Sequence, residues 1–343
     1  MCIRDRRLNV YGSLLAAGTS GDGILFSRNA ASDWYGLRFL TSGSGTLAHC
    51  RLEHATYGLD MRSSATVSVS STVIDDGTYG IYALDGTIEL ASVTLTNQST
   101  SAFYGNGVAP TLLDAGTVLE NSNQGLHLLN LSGLNWTAPL TIRDNTTTGV
   151  TLTDCESPSL DNLTITGSAG ANGAIYLDDV GEFTLGGGNV ITGNTWPVTI
   201  TAGSYPAAGC VIPTTGNDND DIQVSGGASA RTGTWRVFPD LQYVVNGSVS
   251  ISAGGGLTIA PGQEIRFGPS DRLNVYGTLI AEGSPGSEIV FTRDATSLWY
   301  GLRFLTSGSG TLAHCQAVLF PVQRVKPVKS VADDGDRTLS LIH

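Results

Sequence analysis

Hydrophobic and polar residues alternate along this chain in short runs, and each run begins at a glycine. Typical runs are Gly36-Leu-Arg-Phe, Gly58-Leu-Asp-Met and Gly80-Ile-Tyr-Ala. A period of two with many β-branched residues predicts short strands, and the Gly, Asn and Asp residues between the runs predict tight turns. The glycines that open these runs are Gly36, Gly58, Gly80, Gly105, Gly125, Gly149 and Gly173.

These glycines follow one another at intervals of 20 to 25 residues. That interval fits one turn of a parallel β-solenoid, in which each turn pairs with the next at a spacing of about 4.8 Å. A single turn cannot bury its own face, so stability would come from stacking. A β-sandwich also has frequent turn signals, but it does not explain why Gly recurs at one phase. We therefore predict an all-β parallel solenoid.

A second, longer repeat defines the predicted domain organisation. Residues Arg7–Cys50 recur as Arg272–Cys315, and the seventeen residues from Trp34 to Cys50 are identical to those from Trp299 to Cys315. We predict one β-helix unit over residues 7–240 and the start of a second over 241–315. The segment 243–267 precedes the second copy, and we expect a similar segment upstream of the first.

Both chain ends look foreign to this pattern. Met1–Asp5 and Leu339–His343 can be encoded by reverse-complementary DNA, as in a sequencing adapter read at both edges of a metagenomic fragment. Lysine is absent until Lys326 and Lys329. We therefore predict that residues 1–6 are adapter-derived or disordered, and that 316–343 is a non-native or disordered tail. Any signal peptide or anchor would lie outside this fragment.

Composition excludes several classes of protein. Charged residues make up 14% of the chain, against about 25% in an average soluble domain, and hydrophobic residues make up 41%, which disfavours disorder. The net charge of −12 disfavours nucleic acid as a partner, because phosphates would be repelled. No apolar run is long enough to span a bilayer.

One strand face carries the candidate ligand-binding residues. If Leu37, Phe39 and their equivalents point inward, alternate positions point outward. The ligand-binding candidates on this outward face are Arg38, Asp60, Arg62 and Tyr82. A mixed-charge face of this kind is also typical of an ordinary solvated surface.

Tyrosines recur at one phase of the repeat, at Tyr35, Tyr57, Tyr79 and Tyr104. By strand parity they would pack inside the solenoid, which is the interpretation we favour. A chain kink at the following glycine could reverse that parity. The rings would then form an exposed platform for sugars.

Aspartates cluster at predicted turns, where their side chains bond nearby amides. Asp76, and the series Asp85, Asn130, Asp154 and Asp178, are interpreted as turn residues in this way. Hard cations prefer clustered oxygens, so calcium is kept as a weak possibility, with no other cofactor. The calcium candidates are Asp178, Asp179, Asp218, Asp220 and Asp221. No His or Cys has metal-ligand spacing. The predicted core cysteines are Cys50, Cys155, Cys210 and Cys315.

Several segments together resemble a known group of proteins. The sequence Leu-Thr-Ile-Ala-Pro-Gly-Gln-Glu-Ile-Arg-Phe over 257–267, then Leu273–Gly283 and Trp299–Phe304, is similar to right-handed parallel β-helix repeat proteins of the pectin-lyase-like superfamily, in particular bacterial surface and secreted members. The resemblance implies a right-handed parallel β-helix for residues 7–315. The Asp75-Asp76 and Asp178-Asp179 pairs match part of a polygalacturonase pattern, but its Gly-His-Gly and Arg-Ile-Lys segments are missing.

The resulting functional hypothesis is a non-catalytic, extracellular or cell-surface segment of a larger bacterial protein. It would act as a stalk, an adhesin or a carbohydrate-contacting surface, with a polysaccharide or a cell-surface molecule as its partner. The alternative is a polysaccharide lyase or glycoside hydrolase that acts on a uronate-type polysaccharide, with a groove in which two carboxylates and a basic residue converge.

Overall fold

The computed structural model describes residues 7–29, 31–213, 215–294 and 296–318. In these residues the chain forms only strands and turns, with no helix, and its parallel sheets stack as a β-solenoid of about 13 turns. The predicted all-β parallel solenoid is therefore confirmed. The adapter-like end at 1–6 and most of the predicted tail, 319–343, lie outside the described residues. Gln316 and Ala317 belong to the last strand.

The strands are short and follow one another closely along the chain. Up to residue 178 they are β1 (Arg7–Val10), β2 (Ser13–Ala17), β3 (Ile24–Phe26), β4 (Gly36–Phe39), β5 (Ser44–Ala48), β6 (Cys50–Glu53), β7 (Tyr57–Met61), β8 (Thr66–Ser70), β9 (Val73–Ala83), β10 (Thr87–Ala91), β11 (Thr94–Asn106), β12 (Thr111–Leu112), β13 (Val118–Glu120), β14 (Gln124–Leu129), β15 (Asn135–Trp136), β16 (Leu140–Arg143), β17 (Thr148–Thr153), β18 (Ser159–Leu160), β19 (Leu163–Thr166) and β20 (Ile175–Asp178).

The remaining strands continue the same pattern. They are β21 (Gly181–Leu185), β22 (Val190–Thr192), β23 (Val198–Ile200), β24 (Ser204–Pro206), β25 (Ile222–Val224), β26 (Gly227–Ser229), β27 (Thr232–Trp235), β28 (Tyr243–Val245), β29 (Val249–Ile251), β30 (Gly256–Ile259), β31 (Glu264–Phe267), β32 (Arg272–Val275), β33 (Thr278–Glu282), β34 (Ile289–Arg293), β35 (Gly301–Phe304), β36 (Ser309–Ala313) and β37 (Cys315–Ala317).

The first compact unit contains the described residues of Met1–Tyr176, Leu185–Thr195 and Gly216–Asp218. Its successive turns pair in parallel. The first sheet contains β1, β4, β7, the end of β9, the end of β11, β14 and β17. The second sheet contains β3, β6, the start of β9, the start of β11, β13, β16, β19 and β22. A third contains β2, β5, β8, β10 and β12.

The core of this unit is built from equivalent positions on successive turns. Leu37, Leu59 and Ile81 lie in register along the first sheet, and none of the three side chains is exposed. Phe39 and Met61 form the next fully buried column. Burial of such columns against their neighbours, at about 1.5–3 kcal/mol per large side chain, stabilises turns that could not fold alone.

A single left-handed residue makes the corner between the second and first sheets in each turn. These residues are His54, Asp76, Asn97, Asn121 and Asp144, with φ between 51° and 57°. Asn and Asp tolerate this conformation best after glycine, so the turn interpretation of Asp76 is confirmed. By register Gly193, with φ 68°, takes this position in a later turn.

After Asn97, Asn121 and Asp144 the next residue is a buried polar group that joins one turn to the next. Gln98, Ser122 and Asn145 are at most 2% exposed. The backbone N–H of Gln98 donates to Ser122 Oγ at 3.0 Å, and that of Ser122 donates to Asn145 Oδ1 at 3.0 Å. The column satisfies backbone donors that a tight corner would otherwise bury unpaired.

The turn interpretation of the series Asp85, Asn130, Asp154 and Asp178 is confirmed at two of its four positions, where the backbone is left-handed. Asn130 and Asp154 have φ of 55° and 52°. In the other two turns the left-handed residue is the next one along, Gly86 at φ 92° and Asp179 at φ 52°. The spacing from the opening glycine therefore locates this corner to within one residue.

The recurrent glycines face the following turn at a distance that excludes a side chain. A Cβ on Gly58 would lie 2.5 Å from Gly80 O, and one on Gly80 would lie 2.5 Å from Ala102 O. Ala102 therefore occupies the glycine position of the turn after Gly80, and the assignment of Gly105 to this series is wrong. Gly105 lies three residues further along and pairs with Ala83. A β-bulge between Gln98 and Ser101 also adds one residue to β11.

The second compact unit contains the described residues of Leu177–Thr184, Trp196–Thr215 and Asn219–His343. One sheet contains β23, β25, β28, β31, β34 and β37, and two four-stranded sheets contain β26-β29-β32-β35 and β27-β30-β33-β36. Trp235 stacks on Tyr243 in its core, with ring centroids 5.0 Å apart. Arg272–Val275 pairs with Gly301–Phe304 in the register with which Arg7–Val10 pairs with Gly36–Phe39.

Candidate functional site

Five tyrosines from four successive turns contact one another on the first sheet. We call Tyr35, Tyr57, Tyr79, Tyr82 and Tyr104 the tyrosine ladder. The ring of Tyr57 stacks on Tyr79 at 5.4 Å, and that of Tyr82 stacks on Tyr104 at 4.8 Å. Tyr35 meets Tyr57 at 5.1 Å. Ring pairs at these separations contribute about 0.5–1.5 kcal/mol each beyond their burial.

The ladder lies on the outer side of the sheet, so the prediction that the tyrosines pack inside is wrong. The ring of Tyr57 meets that of Tyr82 at 5.0 Å, and Tyr82 is in register with the outward-facing Asp60. A Cβ on Gly58 would meet the core side chain of Ile74, so Gly58 and Leu59 both face inward. The alternation breaks at this glycine, which turns the preceding tyrosine outward. Tyr104 is in register with Tyr82 rather than with Tyr79.

An aspartate with no exposed surface holds two arginines beside the ladder. Arg62 Nε donates to both carboxylate oxygens of Asp60, at 2.8 and 3.0 Å, and Arg38 Nε lies 3.4 Å from Oδ2. Asp60 is 0% exposed. A buried carboxylate is tolerated when it is paired and hydrogen-bonded in this way. It acts as the anchor that fixes the position of both guanidinium groups.

The guanidinium of Arg62 also contacts three rings of the ladder. It lies over Tyr57 at 5.5 Å and over Tyr82 at 5.2 Å, and its Nη2 donates to Tyr35 Oη at 3.2 Å. Cation–π contacts of this kind favour arginine and orient it. The structure thus brings together all four of the ligand-binding candidates on this face, Arg38, Asp60, Arg62 and Tyr82.

The local charge of this face is opposite to that of the chain. Arg7 lies over the Tyr35 ring at 5.4 Å, so three arginines surround one carboxylate on a chain of net charge −12. Burial, and then the nearby Asp60, raise the pKa of Tyr35, and burial raises the pKa of Tyr79 and Tyr104. The phenols therefore stay neutral and the arginines set the sign of the face.

A histidine packs against the last ring of the tyrosine ladder. The His127 ring packs edge-on against Tyr104, with centroids 5.1 Å apart, and burial lowers the pKa of its imidazole. The neutral ring is favoured in this position because a charged one would lose hydration without gaining a counter-ion.

A polar groove runs along the corner between the second and first sheets of the same unit. We call it the corner groove. Its volume is about 590 Å³. It is lined by Asp33, Asp76, Gly77, Thr78, Asn97, Gln98, Ser99, Asn121, Ser122, Asn123 and Thr146.

Each of the two carboxylates of the corner groove lies beside a basic side chain. Arg28 Nη1 donates to Asp33 Oδ1 at 2.7 Å, and His54 Nδ1 lies 2.7 Å from Asp76 Oδ2. The bulge at Gln98–Ser101 lies beside this groove. The sequence analysis did not identify the groove. Spacing gave no signal for it, because the position of Gly80 recurs at Ala102 after 22 residues, the same interval as between Gly58 and Gly80.

The calcium candidates are bound to arginine or backbone groups where their contacts are defined. Asp179 Oδ1 accepts from Arg231 Nε at 2.8 Å. Asp221 Oδ1 accepts from the backbone N–H of Gln242 at 2.9 Å, and its Oδ2 lies 3.6 Å from Arg266. Within the described part of the chain, no three His, Cys, Asp or Glu side chains are grouped to hold a metal ion.

Three of the four predicted core cysteines are buried, namely Cys50, Cys155 and Cys210. Cys315 is only partly buried, in the last described strand. None of the described cysteines forms a disulfide. Burial raises the pKa of Cys50 and Cys155, and it raises that of Cys315 to about 11. These thiols are therefore poor nucleophiles.

Comparison with known proteins finds no matching family model, no similar curated protein and no similar solved structure. The parallel solenoid is thus established by the structure itself, and the likeness to the pectin-lyase-like superfamily stays a prediction. Over residues 7–29, 31–213, 215–294 and 296–318, no helix has the length and apolar character to cross a membrane.

Proposed function

We propose that this chain is a non-catalytic solenoid segment of an extracellular bacterial protein, and that the tyrosine ladder with its arginines is a contact surface for polysaccharide. The observation that carries the proposal is the fixed position of Arg62, which is held by the fully buried Asp60 and lies over two tyrosine rings. A pre-ordered guanidinium loses little freedom on binding. The positive face favours sugars that carry carboxylates.

The chemistry of this face supports binding rather than turnover. A general acid or base must reach the proton that it transfers, but Asp60 has no exposed surface and both its oxygens accept from Arg62. Glycoside hydrolysis needs two carboxylates flanking the bond. Among the described residues in contact with Arg62, Asp60 is the one carboxylate.

The test compares binding of oligogalacturonate with binding of a neutral β-glucan oligomer by isothermal titration calorimetry. Arg62→Gln should weaken oligogalacturonate binding on the order of tenfold, because a charge-assisted hydrogen bond contributes about 1.5–3 kcal/mol. Arg143→Gln is the matched control, since Arg143 pairs with Glu120 on another face and is half exposed. Equal binding by both variants would overturn the proposal.

The alternative function, a polysaccharide lyase or glycoside hydrolase, is favoured by one observation. The corner groove contains two carboxylates, Asp33 and Asp76, and His54 contacts the second of them. Incubation with uronate and neutral polysaccharides, with and without calcium, tests it. Release of unsaturated or reducing ends by the wild type, and its loss in Asp76→Asn, would establish the enzyme and refute the non-catalytic proposal.

A further inference from the structure

The corner groove differs in both polarity and charge from the tyrosine–arginine face, which is the tyrosine ladder together with Arg7, Arg38, Asp60 and Arg62. All of its lining residues are Asp, Asn, Gln, Ser, Thr or Gly. Aromatic and aliphatic side chains are absent from this set, and so are lysine, arginine and histidine. A ligand for this groove must therefore be recognised by hydrogen bonds.

The two carboxylates of the groove have acceptor capacity that their neighbours do not use. Arg28 occupies Oδ1 of Asp33 and His54 lies at Oδ2 of Asp76, so each carboxylate has a second oxygen to offer. Both N–H groups of the Gln98 amide are used, by Ile74 O and Thr96 O. Its Oε1 is buried and has no hydrogen-bond partner among the described residues. The remaining carboxylate oxygens of Asp33 and Asp76 thus favour ligand groups that donate.

The groove lies beside the β-bulge in β11. Gln98 pairs with Gly77, whereas Ser101 pairs with Tyr79, so one extra residue stands between these registers. Glycine is required at position 77 of the lining, because a Cβ there would lie 2.8 Å from Gln98 Oε1 and 2.2 Å from Ala55 O. Bulges commonly re-aim side chains beside functional sites.

We propose that the corner groove is a second binding site, for uncharged or ammonium-bearing saccharides such as amino-sugar oligomers. Sugar hydroxyls and an ammonium group donate hydrogen bonds to carboxylate oxygens. A uronate would bring its own carboxylate beside Asp33 and Asp76, where like charges repel. The chain would then have two sites of opposite ligand preference on one unit. The inference does not depend on the tyrosine–arginine face, which selects acidic sugars.

The probes are glucosamine hexamer, cellohexaose and galacturonate hexamer, measured by calorimetry against the whole chain at about 0.15 M salt, where exposed charges are screened beyond about 8 Å. The test variant is Asp33→Asn with Asp76→Asn. The matched control is Asp144→Asn with Asp154→Asn, which removes two exposed carboxylates from the same kind of left-handed turn outside the groove. Asn tolerates that conformation, so both variants should fold.

Glucosamine hexamer should bind the wild type and the control equally, and bind the test variant on the order of tenfold more weakly. Binding of galacturonate hexamer should be the same in the test variant as in the wild type, and it should be weaker in Arg62→Gln. This comparison separates failure of the present inference from failure of the proposed function. Equal loss in the control would show non-specific attraction to an acidic chain and overturn the inference. Binding abolished by a chelator would also overturn it, since the site would then be a cation site.

Discussion

Replacement of Gly58 by alanine tests whether the recurrent glycines are required by the stacking of turns. A Cβ at this position would lie 2.4 Å from Ile74 Cγ2 and 2.5 Å from Gly80 O. The carbonyl cannot move without disturbing the ladder of β7 and β9. The two turns would therefore have to separate locally.

The expected cost follows from two opposing effects. Forcing an extra methyl into a packed site costs about 1–3 kcal/mol. Loss of glycine freedom in the unfolded chain returns about 0.4–1 kcal/mol. The net destabilisation should be on the order of 1–2 kcal/mol. Gly21→Ala is the control, because nothing lies within 4 Å of a Cβ there.

Urea unfolding followed by circular dichroism measures the effect, with the shift of the first transition taken as the readout because stacked repeats can unfold in stages. Gly58→Ala should lower that midpoint and Gly21→Ala should leave it unchanged or raise it. Equal midpoints for Gly58→Ala and the wild type would refute the argument that close approach of the next turn selects glycine.

Three further results are expected. Burial lowers the pKa of His127, so the stabilising contribution of its neutral ring is complete above the unfolded pKa of about 6.5 and is lost as the pH falls. His127→Phe should therefore lose less stability than the wild type between about pH 7 and 5. Equal losses in the two proteins would contradict this. The pKa of about 11 for Cys315 should make its alkylation at neutral pH roughly a hundredfold slower in the native chain than in urea, as measured by peptide mass spectrometry. Fusing a copy of residues 243–271 directly before Arg7 should raise the thermal midpoint. The reason is that Leu8 is 43% exposed whereas its repeat equivalent Leu273 is 0% exposed, and burying Leu8 alone contributes about 1 kcal/mol. An unchanged thermal midpoint would refute the argument that the added turn covers Leu8.

Sequence periodicity predicted the fold because each turn repeats the same local requirements. Gly58 and Gly80 mark a close approach, and Asp76 marks a left-handed corner. These constraints act within one turn and its neighbour, so they are visible as spacing. The same argument located Arg38, Asp60 and Arg62 on one outward face, where the structure places them together.

Sequence spacing could not predict that the tyrosines point outward, and it could not predict the corner groove. Strand parity fails at Gly58, where two successive residues face inward, and no sequence rule distinguishes such a break from a regular strand. The groove is lined by Ser99, which lies in the bulge, and by Asp33, which lies in the loop between β3 and β4. The outward direction of the tyrosines and the lining of the groove are both set by contacts between stacked turns, and spacing along the sequence does not show these contacts.

The parallel pairing of each turn with the next also determines how the chain can acquire its structure. Tyr57 pairs with Tyr79, and Thr94 pairs with Val118, so each closure spans a single turn. Closing such short loops costs little more entropy for the tenth turn than for the second. Folding can therefore start at any well-packed pair of turns and spread in both directions. A turn synthesised on the ribosome can dock as soon as it emerges, without waiting for the other end of the chain.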